Sequence, residues 1–169
     1  MYPSTMINNF LKRWRVIFLV LPTVCIATEY QYEEDPVGEG LIPVLSNFRQ
    51  ALVLSKDLDR PLMVQFSTAW CDYCATMEEH VLNPMLKDET YAEKVIIFKL
   101  EVDDAWLIGA DGKQQSTMSF AMDHDVDLYP TLVFFNSEGK EISKRIVGIR
   151  TFDYIGKFID QSIELALQQ

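Results

Sequence analysis

The sequence predicts an α/β fold, a central mixed β-sheet flanked by helices. Three features point to it. Short apolar runs rich in β-formers recur at 62–67, 95–102 and 131–135. Segments with apolar residues at helical spacing lie between and around them. A turn-forming tetrapeptide, Asn136-Ser137-Glu138-Gly139, joins the last two strand-like runs.

The elements follow in order. Leu45, Phe48, Leu52 and Leu54 fall near helical spacing and predict a helix over 44–57. Asp57 to Pro61 reads as a turn, and 62–67 as the first central strand. A helix over 73–81 turns Met77 and Val81 inward, and Asn83-Pro84 interrupts or kinks it. The run 95–102 has the continuous apolar character of a parallel strand buried on both faces. Residues 103–115 read as a long solvated loop, since their acids lack the oxygen-ligand spacing of a calcium loop. A helix over 116–124 and a strand over 131–135 come next, with 142–149 as the hairpin partner. Thr151 caps a last helix that buries Phe152, Ile155, Phe158, Ile159 and Ile163. The order is α-β-α-β-α-β-β-α. Helical crossovers make the first strands parallel, and the short turn makes the last pair antiparallel.

The chain has 169 residues and a net charge of −10. Its start carries Lys12, Arg13 and Arg15, then a mostly apolar stretch over 16–27 with small residues at Cys25 and Ala27. That is the pattern of a secretory signal peptide over 1–27. The apolar run is short for a membrane span, though an uncleaved anchor or a buried helix would use the same residues. Cleavage would remove three basic residues and no acid, taking the net charge to −13. Such a surface disfavours nucleic acid and anionic lipid. Residues 28–43, acidic and rich in Gly and Pro, read as a linker before a domain over 44–169.

Cys71 and Cys74 stand in Trp70-Cys71-Asp72-Tyr73-Cys74, between the first strand and the next helix. A cysteine at a helix start faces unpaired N–H groups and the positive end of the helix dipole. Both favour the thiolate, which is the species that attacks disulfides. Cys71 is therefore the expected nucleophile, and Cys74 can resolve a mixed disulfide formed there. Half a zinc site has the same spacing. A second cysteine pair is absent, leaving only Cys25, His80, His124 and carboxylates as further ligands. A purely structural bridge would close a very short loop and stabilise little.

Trp70-Cys71-x-x-Cys74 after a strand, Tyr129-Pro130-Thr131 further on, and Gly148 closing the final hairpin together resemble the thioredoxin superfamily over roughly 44–168. Arg60-Pro61-Leu62-Met63-Val64 and Cys74-Ala75-Thr76-Met77-Glu78 are similar to the C-terminal domain of DsbD and to SoxW-type exported proteins. The resemblance implies a thioredoxin fold, with Pro130 cis and facing the cysteines. It also implies that the backbone at Tyr129 pairs with a substrate strand. Tyr129, bulkier than the residues often found there, either tunes partner choice or simply packs beside the cysteines. Trp70 matches the family tryptophan, as a shield of the site or a core residue. His124 matches a structural position, and His80 reads as a surface residue.

Two departures from the family matter. Gln65 stands where thioredoxins carry a buried aspartate, and glutamine cannot take a proton from the resolving thiol. Glu78, one helical turn past Cys74, either substitutes or faces solvent. Asp72 should oppose a thiolate at Cys71, raising its pKa and making the pair a better reductant.

The expectation is thus a periplasmic protein-disulfide reductase with no cofactor beyond the redox-active Cys71–Cys74 disulfide. It would act as a monomer on disulfide-bearing proteins, among them apocytochromes or a sulfur-oxidation enzyme. A membrane electron donor of DsbD type would recharge it. The alternatives are the same chemistry reversed, as oxidase or isomerase governed by Asp72-Tyr73, and a non-enzymatic binding or chaperone module.

Overall fold

A computed structural model describes residues 42–103, 105–149 and 152–168. The signal-like segment, most of the acidic stretch and the Thr151 cap lie outside the described residues.

Four strands form the main sheet: β1 (Leu62–Ser67), β2 (Ile96–Glu101), β5 (Thr131–Phe135) and β6 (Ile146–Val147), in the order β2-β1-β5-β6. β1 runs parallel to β2 and antiparallel to β5, and β6 is antiparallel to β5, so the sheet is mixed. Helices cover both faces. Period-two alternation along β1 sends Leu62, Val64 and Phe66 to one side, where they pack with Phe48, Phe120 and Phe135. Met63 goes to the other side, to Met77, Leu82, Ile155 and Ile159. Each such buried side chain contributes roughly 1.5–3 kcal/mol of transfer free energy.

Helix α1 (Phe48–Leu58) starts later than predicted. Asn47 caps it, its Oδ1 accepting the Gln50 N–H at 2.9 Å. Residues 43–45 instead run along β2: the Lys99 N–H donates to Pro43 O at 2.9 Å and the Leu45 N–H to Lys99 O at 2.7 Å. Ile42 is already buried in the core. A free ladder edge on β2 outbids helix propensity here, because extended residues can satisfy their own backbone groups on it.

Helix α2 (Asp72–Met77) continues through a π-helical turn, Glu78–Leu82, into α3 (Asn83–Lys87). Pro84 therefore does not end the helix. The Asn83 N–H donates to Glu78 O, an i→i−5 bond. The wider turn leaves room around a proline that can neither donate nor tolerate a carbonyl four residues back. A short α4 (Glu89–Ala92) leads into β2.

Residues 103–115 are more than a loop. β3 (Trp106–Ile108) and β4 (Gln114–Ser116) form a separate antiparallel hairpin leading into α5 (Thr117–Asp123). A three-residue apolar strand and a three-residue polar one, Gln114–Ser116, are too short to show an alternation along the chain. The predicted hairpin partner over 142–149 shrinks to Ile146–Val147, plus a bridge from Phe135 to Glu141. In α6 (Phe152–Ala166), Ile155, Ile159 and Ile163 are buried, but Phe158, predicted to be buried, is exposed. Phe158 lies one helical turn before the buried Ser162, but the apolar core contacts of the helix run through Ile155, Ile159 and Ile163. The side chain of Phe152 lies outside the description.

Candidate active site

The strand–turn–helix unit of β1 and α2 carries both cysteines. Cys71 is the N-cap of α2, in extended conformation, and its Sγ accepts the Cys74 N–H at 3.1 Å. Its carbonyl accepts from Cys74 N at 2.9 Å and from Ala75 N at 3.1 Å. Cys71 is half-buried, whereas Cys74 is fully buried. The two are joined by a disulfide with a Cα–Cα distance of 5.2 Å. Asp72 and Tyr73, between them, are exposed.

Tyr129-Pro130 precedes β5, the neighbour of β1, and the bond between them is cis. The Gly148 N–H donates to Pro130 O at 2.8 Å. Gly148 has φ 65°, a left-handed conformation that glycine adopts without strain. Tyr129 is half-buried against the core. Burial pushes its phenol pKa up, with help from the Asp103 and Asp127 charges.

Gln65 lies fully buried in β1, opposite Lys99 of β2. Its Nε2 donates to Cys74 O at 3.3 Å, while Oε1 has no hydrogen-bond partner. Glu78 is partly buried and ion-paired with Lys99 at 3.3 Å, so it does not face open solvent. Lys99 also meets Glu101 at 3.1 Å. Burial of Lys99 disfavours its charge, but the bond to Glu101 and the charges of both carboxylates outweigh this and raise its pKa. Beneath the cysteine helix therefore lies a polar row: an amide at Gln65, then Lys99 held between two carboxylates.

Trp70 corrects the reading of it as a core residue, being 92% exposed. It stands instead at the edge of a cleft of about 540 Å³ with Asp103, Trp106 and Met118. Asp103 Oδ2 accepts the Ala69 N–H at 2.9 Å, tying the cleft to the loop before Cys71. His124 is structural, with Nδ1 2.8 Å from Phe120 O and its ring among Phe48, Phe120 and Phe135. His80 is exposed in the π turn.

Sequence reasoning missed Lys99, Glu101, Asp103 and Trp106. The first two had a signal: charges at alternate positions in an otherwise apolar strand put both on one face. The other two sat in a segment without periodicity.

Residues 48–163 match the thioredoxin-like domain family, more than half of the chain. The chain belongs to the thioredoxin superfamily. A thioredoxin from Alicyclobacillus acidocaldarius subsp. acidocaldarius is 30% identical over 105 residues, covering 61% of this chain and 78% of that one. Among solved structures, the thioredoxin NaTrxh from Nicotiana alata is 25% identical, with TM-score 0.50, over 72% of this chain and 94% of that one. The Malassezia sympodialis thioredoxin shares the fold at 20% identity and TM-score 0.53, over 75% of this chain and 94% of that one. Within this superfamily, a disulfide-forming Cys71-x-x-Cys74 pair makes the chain a thiol–disulfide oxidoreductase.

Proposed function

We propose that this thioredoxin-superfamily member reduces disulfides of exported proteins, working in the periplasm. The observation that carries the division of labour is the unequal burial of the pair: Cys71 is half-buried at the helix cap and Cys74 fully buried behind it. The accessible sulfur is the attacker. In the dithiol form, the Cys71 thiolate attacks one sulfur of a substrate disulfide. That S–S bond breaks and its other sulfur leaves as a thiolate, which takes up a proton. A mixed disulfide remains. Cys74 then gives up its proton and attacks the Cys71 sulfur. The second substrate sulfur leaves with the electron pair, and the Cys71–Cys74 bridge forms. Two electrons and two protons pass to the substrate. A membrane-bound dithiol donor restores the pair.

Asp72 supports the reducing direction. An exposed carboxylate beside Cys71 disfavours its thiolate, which favours giving electrons over taking them. Equilibration of the full chain with thiol buffers tests this. The expected potential lies nearer the roughly −270 mV of reducing thioredoxins than the roughly −120 mV of the oxidant DsbA. A value near the latter overturns the reductase reading in favour of an oxidase. Insulin reduction should be abolished by Cys71→Ser, whereas Cys74→Ser should accumulate a mixed disulfide visible by mass spectrometry. Reduction retained in Cys71→Ser overturns Cys71 as the attacking sulfur, and no reduction by the unaltered dithiol chain favours a binding module.

A further inference from the structure

The cleft beside the disulfide has an unusual lining. Trp70, one residue before Cys71, is 92% exposed, and Trp106 of β3 is 62% exposed. Burying a tryptophan removes about 150–250 Å² from water, and such residues dominate binding energy where a partner covers them. Here two indoles edge one cleft with Met118, itself 45% exposed.

The charge there has one sign. Asp103 is the charged residue among the described lining, and no lysine or arginine joins it. Asp72 is exposed just past Cys71. Asp103 and Asp127 both act on the Tyr129 hydroxyl beside the cis bond. Asp103 is also held in place, because its Oδ2 accepts the Ala69 N–H.

A carboxylate beside exposed indoles suits a cation with an apolar stem. A guanidinium or ammonium is attracted to an exposed aromatic face, and its methylenes cover the ring. A purely apolar segment would desolvate Asp103 without a partner. An acidic segment, or a second copy of this face, would bring like charges together.

We propose that the Trp70–Trp106 cleft docks an arginine- or lysine-bearing stretch of the substrate chain next to its disulfide, the indoles stacking on the cation and Asp103 pairing with it. This deepens, and rests on, the reading of Cys71 as the attacker of protein disulfides. It makes the cleft a specificity element rather than part of the redox step.

The test is stopped-flow reduction of disulfide-bridged peptides by the dithiol form of the full chain. Four peptides are identical except for residues flanking the cystine: arginine, leucine, glutamine or glutamate. The arginine peptide should react fastest, about tenfold or more ahead of the glutamate peptide at low salt. Asp103→Asn keeps an oxygen to accept from Ala69, and Trp106→Ala truncates an exposed side chain. Each should lower the arginine-to-glutamate ratio about two- to fivefold. Equal rates for all four peptides overturn the proposal. So does a ratio unchanged in both variants, which would trace the preference to net charge alone. A leucine peptide reacting fastest overturns it in favour of an apolar occupant. Self-association abolished by Trp106→Ala overturns it in favour of a second copy. Failure to reduce any peptide overturns the reductase reading beneath it as well.

Discussion

Gln65 puts an amide in the interior where its nitrogen makes one long bond and its oxygen makes none. Leaving a buried acceptor unpaired costs about 1–3 kcal/mol. The Cys74 carbonyl it touches also accepts the Glu78 N–H, so removing the amide orphans nothing there. Gln65→Met, similar in shape, should therefore leave stability unchanged or raise it by about 1 kcal/mol in urea denaturation. Phe120 gives the opposite case. It is fully buried, edge-on to Phe48 at 4.9 Å and stacked near Phe66 at 6.1 Å. Phe120→Ala should cost about 3–5 kcal/mol in the same measurement. At this scale the sequence identified the disulfide-forming Cys71–Cys74 pair and the cis Tyr129–Pro130 bond. Lys99, the cation that holds Glu78, was invisible as a partner because the two meet through sheet and helix packing rather than chain proximity.

Turns and helix registers decide how the elements meet. Gly139 closes the turn of the last hairpin with φ 77°, where a Cβ would lie 3.3 Å from Phe48 Cε1 and 3.4 Å from Leu52 Cδ1. Asn136 Oδ1 organises the same turn, accepting from Glu138 N and Lys140 N. Gly139→Ala combines backbone strain with crowding of α1 and should lower stability by about 1–3 kcal/mol, read as a fall in the thermal midpoint. Strands β1, β2 and β5 were legible because their apolar, β-branched runs have one explanation. The β3–β4 hairpin was not, because pairing, not composition, makes it a hairpin. The π turn was equally hidden: Pro84 announced a disruption, but the packing of Leu82 and Met85 on one core face kept the helix going.

Across the domain, α4 is tied to α6 by Tyr91, whose hydroxyl donates to Asp160 Oδ1 at 2.7 Å. That bond, with burial and the Asp160 and Asp88 charges adding to it, pushes the Tyr91 pKa up to about 12. The neutral phenol is thus favoured in the folded state. Its contribution is fully present below about pH 10, the ordinary tyrosine value, and is lost as pH rises toward 12. Stability measured across this window should fall with pH, and Tyr91→Phe should reduce that dependence while costing about 0.5–1.5 kcal/mol at neutral pH. The net charge of −10 acts at the same scale. It favours cationic partners at long range, and salt screens that attraction within about 10 Å at 0.1 M.

Spacing along the chain was enough to set the Cys71–Cys74 pair at a helix start, the parallel β1–β2 pair and the antiparallel β5–β6 pair, but not the antiparallel run of β5 against β1, since the helical crossover before β5 predicted a parallel strand. These depend on local periodicity and on connection length, both of which are written in consecutive residues. Packing alone decided that Asp103 would bond Ala69 from 34 residues away, that Trp106 would share a cleft with Trp70, and that Lys99 would sit beneath the cysteine helix. Such neighbours are chosen by strand register and by which face of the sheet each side chain takes, quantities that exist only once the strands have paired.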